Sequence, residues 1–133
     1  MKFRTALITI VSIYALSLIT LHFDLFNRFV NLDNVFHFSG GVSIGMLALA
    51  IRHFVGKKYR TTGVPVWFDF LFVVGFVFMV GVLWEFYEYI QDHTFALTFH
   101  WAISQPSVHD TLGDLMWDGI GAIIGFILFR KSK

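Results

Sequence analysis

Residues 66–90, VWFDFLFVVGFVFMVGVLWEFYEYI, decide how this chain folds. No charged residue lies between Asp69 and Glu85. A run of this length covers the roughly 20 residues that a helix needs to cross the hydrocarbon core of a bilayer. Pro65 is placed at its first turn, where a missing N–H costs a helix nothing. Working outward, three more apolar runs of similar length appear, over Phe3–His22, Asn34–Val55 and Asp110–Phe129. The whole chain agrees, with 56% hydrophobic and 14% charged residues and a mean hydropathy of +0.69. Soluble domains carry about 25% charged residues. The runs are continuous rather than alternating, and four strands cannot close a barrel, so the spans are helices. The expected fold is all-α and polytopic, with four transmembrane helices in one domain over residues 1–133.

The charges orient the bundle. Lys2 and Arg4 precede the first span, Arg52, Lys57, Lys58 and Arg60 lie between the second and third, and Arg130, Lys131 and Lys133 follow the fourth. Only Arg28 falls on the other side. The positive-inside rule then puts both termini in the cytoplasm. The first span resembles a signal peptide, but it ends in Leu18-Ile19-Thr20-Leu21-His22-Phe23, without the small residues of a cleavage site, and is read as retained. There is no cysteine, which excludes disulfides and thiolate metal sites. The basic residues are scattered over short segments and give no footprint for nucleic acid. The partners expected are membrane lipids.

Eight of the nine acidic residues fall on the extracytoplasmic side, all but Asp69. Asp33 and His37 are four apart at the outer end of the second span, on one helix face. Glu85, Glu88 and Asp92 form a stripe at the outer end of the third span. Asp110, Asp114 and Asp118 form another at the outer start of the fourth. At about 1.5 Å per residue, the inner members of the three stripes reach a similar depth, roughly a third of the way through the hydrocarbon. Ionised groups at that depth are expensive and usually functional. Balancing them takes histidines, bound protons or a metal. Five of the six histidines, His22, His37, His93, His100 and His109, fall on the same side. Mixed carboxylate and imidazole ligands suit Zn, Mn or Fe, and an all-oxygen site suits Mg or Ca. The inner shell expected is His37, Glu85, Glu88, Asp114 and Asp118, holding a divalent metal cation, with Asp33 and Asp110 in support.

Plainer readings stand beside this one. Asp33 and Asp110 sit where acidic residues cap helices or favour their positive N-terminal ends. Gly41 with Gly45, and Gly121 with Gly125, are small-xxx-small pairs that serve close packing within the chain or a homodimer, of which internal packing is the expected use. The connection over residues 91–109 carries Phe95, Phe99 and Trp101 and is expected as an aromatic extracytoplasmic segment, lying on the outer leaflet or dipping into it.

Three separated pieces carry a family resemblance: Asp33-Asn34-Val35-Phe36-His37-Phe38 with Gly41, then Trp84-Glu85-Phe86-Tyr87-Glu88, then Gln105 and Asp110-Thr111-Leu112-Gly113-Asp114-Leu115 with Gly121-Ala122 and Gly125. Together they resemble the YjdF-like family of small bacterial inner-membrane proteins, and more distantly the VanZ-like proteins, over roughly residues 30–125. The family's last piece usually carries an Asp shortly after the Gln and a Trp before the Asp-Thr pair; here Pro106-Ser107-Val108-His109 stand there. The resemblance implies a multi-pass protein of the bacterial inner membrane and supplies no reaction.

Three functions remain open at this level. The first is a metal-dependent hydrolase of a lipid or polyprenyl phosphate, in which Glu85 or Glu88 serves as the catalytic base. The second is a non-enzymatic protein that binds or transports a cation or protons. The third is a structural or partner-binding protein whose carboxylates are protonated and hydrogen-bonded.

Overall fold

The computed structural model describes residues 3–29, 31–59, 63–101 and 103–131. Lys2, Arg60 and Lys133, used above to orient the chain, lie outside these residues. Four helices are long and apolar enough to span a membrane: α1 (Phe3–His22), α3 (Leu32–Tyr59), α4 (Val66–Gln91) with its continuation to Phe99, and α6 (Val108–Phe129). A short α2 (Leu25–Arg28) links α1 to α3. The all-α, four-span architecture read from hydropathy is the one observed.

Helix α3 is the centre. Within the best apolar window of each span, 44% of residues are buried in α3 and 39% in α6, against 17% in each of the other two. Its most extensive partner is α6, and the glycines explain why. A Cβ at Gly41 would collide with the Asp118 carbonyl oxygen, and one at Gly121 with the Phe38 carbonyl oxygen. At Gly125 it would lie 3.0 Å from the Val42 carbonyl oxygen. Both glycine pairs are therefore spent on the α3–α6 contact inside the chain, where backbones approach closely enough for van der Waals attraction to hold them in lipid.

Helix α4 packs on α3 and α6, around a core of Ala48, Leu49, Val73 and Phe126. Phe70, Phe72, Phe76 and Phe129 close around that core. At the same end Arg52 Nε lies 2.7 Å from Asp69 Oδ1, an ion pair that ties α3 to α4. Asp69 is thus the counter-charge of a helix pair. Pro65 proves to be the N-cap of α4 rather than a residue of its first turn.

The third span does not end where its polar residues suggested. The expected connection over residues 91–109 is mostly helix: α4 runs into a π-helical turn (Asp92–Ala96) and then α5 (Leu97–Phe99). The His93 ring bonds the Tyr89 carbonyl at 2.8 Å, while Thr94 and Thr98 donate to the carbonyls of Ile90 and Thr94. The polar side chains thus satisfy themselves on the helix and leave Phe95, Leu97 and Phe99 exposed. His100 adopts the left-handed conformation (φ 56°) and stops the helix, and the Trp101 N–H bonds Ala96 O at 3.2 Å. Phe95, Phe99 and Trp101 stack in series, with centroids 6.5 and 5.6 Å apart. The aromatic cluster between the third and fourth spans is therefore present, built on a helical turn instead of a long loop.

Candidate metal centre

The site lies at the end of the bundle opposite the Arg52–Asp69 pair. Helix α3 contributes Asp33 and His37 one turn apart, α4 contributes Glu85 and Glu88, and α6 contributes Asp110, Asp114 and Asp118 at successive turns. His37 is the hub. Its Nε2 lies 3.9 Å from Asp33 Oδ1 and 3.9 Å from Asp114 Oδ1, and its Nδ1 lies 3.5 Å from Asp118 Oδ1. Two overlapping donor sets share the imidazole: Asp33, His37 and Asp114, and His37, Glu85 and Glu88. In each set the ligand atoms lie within 4.8 Å of one another.

Asp118 and Asp110 belong to neither set, and Asp118 touches the imidazole on the Nδ1 side. A carboxylate there fixes the ring and leaves the other nitrogen free for a ligand. Asp118 fits because α4 has no side chain opposite it: a Cβ at Gly81 would sit 2.5 Å from Asp118 Oδ2.

The cluster is dry. His37 and Glu85 are each 5% exposed and Asp114 2%. Glu85 Oε1, Asp110 Oδ2 and Asp114 Oδ2 are buried without a hydrogen-bond partner among the described residues. Buried carboxylate oxygens without a donor are costly, and a bound cation is one of the remedies, beside protonation and ordered water. The donor chemistry therefore fits a metal ion: one imidazole, several carboxylates and open acceptor positions.

Gln105 joins the site from the α5–α6 connection. Its Nε2 donates to Glu85 Oε2 at 3.0 Å and to Thr111 Oγ1 at 3.0 Å. What holds it there is Asp92, whose carboxylate accepts the backbone N–H groups of Ser104 (2.9 Å) and Gln105 (2.8 Å). The sequence placed Asp92 in the α4 stripe; in the fold it turns toward the returning chain, carried by the π-helical turn, a distortion common near functional sites. The signal for Gln105 was its place in the family-like piece, and spacing gave no reason to join it to Glu85.

Most of the remaining histidines stand apart from the acids. His22, His93 and His100 are exposed, His109 is exposed beside Asp110, and His37 alone is buried within the cluster. The capping reading of Asp110 holds only in part. Ser107 is the N-cap of α6, its hydroxyl accepting the Asp110 N–H at 3.2 Å, while Asp110 lies in the first turn, where a carboxylate suits the positive end of the helix.

No curated protein and no solved structure matches the chain. The family described as a predicted membrane protein, DUF2238, matches residues 2–132, nearly the whole chain, and the protein belongs to that family, in keeping with the resemblance carried by its Asp-His, Trp-Glu and Asp-Thr pieces.

Proposed function

We propose that the protein is a non-enzymatic binder of a divalent cation within the membrane, the ion being held by His37 with carboxylates of Asp33, Asp114, Glu85 and Glu88. The observation that carries this reading is the pair of donor sets joined at His37, in which Glu85 Oε1 and Asp114 Oδ2 are buried and unmatched. Imidazole among carboxylates favours Zn, Mn or Fe, and binding by carboxylates alone favours Mg. Asp118 then orients the imidazole and Gln105 orients Glu85. The positive-inside rule puts the basic helix ends in the cytoplasm of a bacterial inner membrane and the cluster near its outer face.

Two observations favour binding over transport or hydrolysis. Between the cluster and the Arg52–Asp69 pair, the α3–α4–α6 interior holds Ala48, Leu49, Val73 and Phe126 ringed by phenylalanines, and among the described residues only the buried Ser43, already bonded to the Ser39 carbonyl, would offer an ion a polar step. A lipid-phosphate or polyprenyl-phosphate hydrolase needs positive groups at the phosphoryl oxygens, which a metal ion supplies with or without Lys and Arg beside it. Among the described residues no Lys or Arg reaches the cluster, so an ion would act there alone: Arg28 is exposed and Arg52 pairs at the far end. Glu85 and Glu88, which share a donor set with His37, are read as ligands rather than as catalytic bases.

Elemental analysis of protein purified without chelator tests this reading. The expected result is about one divalent ion per chain, lost in His37→Ala and reduced in Asp33→Asn. Re-adding the ion at about a hundred times its Kd should stabilise the stripped protein by about 2.7 kcal/mol. Metal-free wild-type protein, with a melting temperature indifferent to Zn, Mn, Fe and Mg, would overturn it.

A further inference from the structure

The cluster opens on one side into a cavity whose apolar part metal binding does not use. Its volume is about 180 Å³. Helix α1 is buried only near its ends, at Ala6 and at Thr20 and Leu21, while its middle turns roof this space. Ile13 of α1, Ile44 of α3 and Val77 of α4 line the apolar part. Tyr14, Phe36 and Trp84 form aromatic walls. Asp33, Glu88 and Asp118 close the other end, beside His37. An aliphatic and aromatic cavity of about 150 Å³ stays dry and takes an apolar guest such as benzene. This one has the capacity for a comparable length of hydrocarbon, with carboxylates at its end.

We propose that the cavity binds an amphiphilic amine or quaternary ammonium, with its alkyl chain among Ile13, Ile44 and Val77 and its cationic head against Asp33, Glu88 and Asp118. Charge decides the head group. The site gathers six carboxylates, those of Asp33, Glu85, Glu88, Asp110, Asp114 and Asp118, around a single histidine. The polar end of the cavity is walled by Asp33, Glu88 and Asp118, and no Lys or Arg is among its lining residues. A wall of carboxylates without Lys or Arg repels an anionic head, and a neutral head has no counter-charge to offer. A monovalent ammonium offers one, and Tyr14, Phe36 and Trp84 are aromatic residues of the kind that favour such cations. This inference goes beyond the metal reading and shares with it only the acidic wall.

Calorimetric titration of the purified protein in neutral detergent with octyltrimethylammonium, octyl sulfate and octyl glucoside tests it. Octyltrimethylammonium should bind saturably at one site per chain, at least tenfold more tightly than the other two. Ile13→Trp on the loosely packed α1, and independently Ile44→Phe, should weaken that binding tenfold or more while the melting temperature and the metal content stay at wild-type values. Equal affinity for the three amphiphiles, absence of saturable binding, or full affinity in both cavity-filling variants would overturn the proposal. Metal content is read separately. Ammonium binding to a metal-free protein supports this inference while the metal reading fails, and a metal-loaded protein without ammonium binding sinks this inference alone.

Discussion

Replacing Asp92 by Ala should release the segment that carries Gln105. The Asp92 carboxylate is 4% exposed and accepts two backbone N–H groups, from Ser104 at 2.9 Å and Gln105 at 2.8 Å. A hydrogen bond to a charged group contributes about 1.5–3 kcal/mol. Losing both removes about 3–6 kcal/mol of local stability, before any gain from water reaching the freed amides. Even the lower bound corresponds to more than a hundredfold change in an opening equilibrium, at about 1.4 kcal/mol per factor of ten. The assay is amide hydrogen exchange in micelles, read at these two positions, because local opening is what it measures. In Asp92→Ala the Ser104 and Gln105 amides should exchange about a hundredfold faster or more, while amides in the centre of α3 keep their wild-type rates. Asp92→Asn retains one acceptor oxygen and should fall between the two. Gln105 Nε2 should then leave Glu85, loosening the cluster from a position outside it. Wild-type exchange at Ser104 and Gln105 in Asp92→Ala would refute the reasoning, since it would mean that the turn after α4 holds its shape without the carboxylate.

Two further predictions rest on packing and charge. Gly121→Ala sets a methyl group against the Phe38 carbonyl oxygen in the α3–α6 seam and should cost about 1–3 kcal/mol or more. Gly113→Ala, on the same helix with nothing within 4 Å, should instead gain about 0.5–1 kcal/mol. Thermal melts of the two variants check this, and equal melting temperatures would contradict it. A double-mutant cycle of Arg52→Ala and Asp69→Ala should give a coupling of about 1 kcal/mol, because the pair is close but partly exposed. That coupling should not depend on added divalent ions, since the pair sits at the opposite end from the cluster, and a metal-dependent value would contradict the separation of the two ends.

The sequence by itself determined what lipid enforces. Backbone polar groups in hydrocarbon must be satisfied within a segment, so four long apolar runs mean four helices, and their order fixes which ends lie together. That ordering brought Asp33, His37, Glu85, Glu88, Asp114 and Asp118 to one end, because residues three and four apart share a helix face. Spacing along single helices does not determine how one helix slides or rotates against the next, and that the tertiary structure decided. His37 stands five residues into α3 yet meets Asp118, ten residues into α6, because the collision-limited approach of Gly41 and Gly121 sets the stagger of the two helices. The same contact divides the acids, with Asp118 on the Nδ1 side of the imidazole and Asp33 and Asp114 on the Nε2 side. Asp92 and Gln105 entered their roles only through a helix that continued past its polar residues and a chain that folded back onto it. The cavity under α1 depends on where that helix does not pack, which hydropathy cannot record: a side chain facing lipid and one facing an apolar cavity are equally hydrophobic.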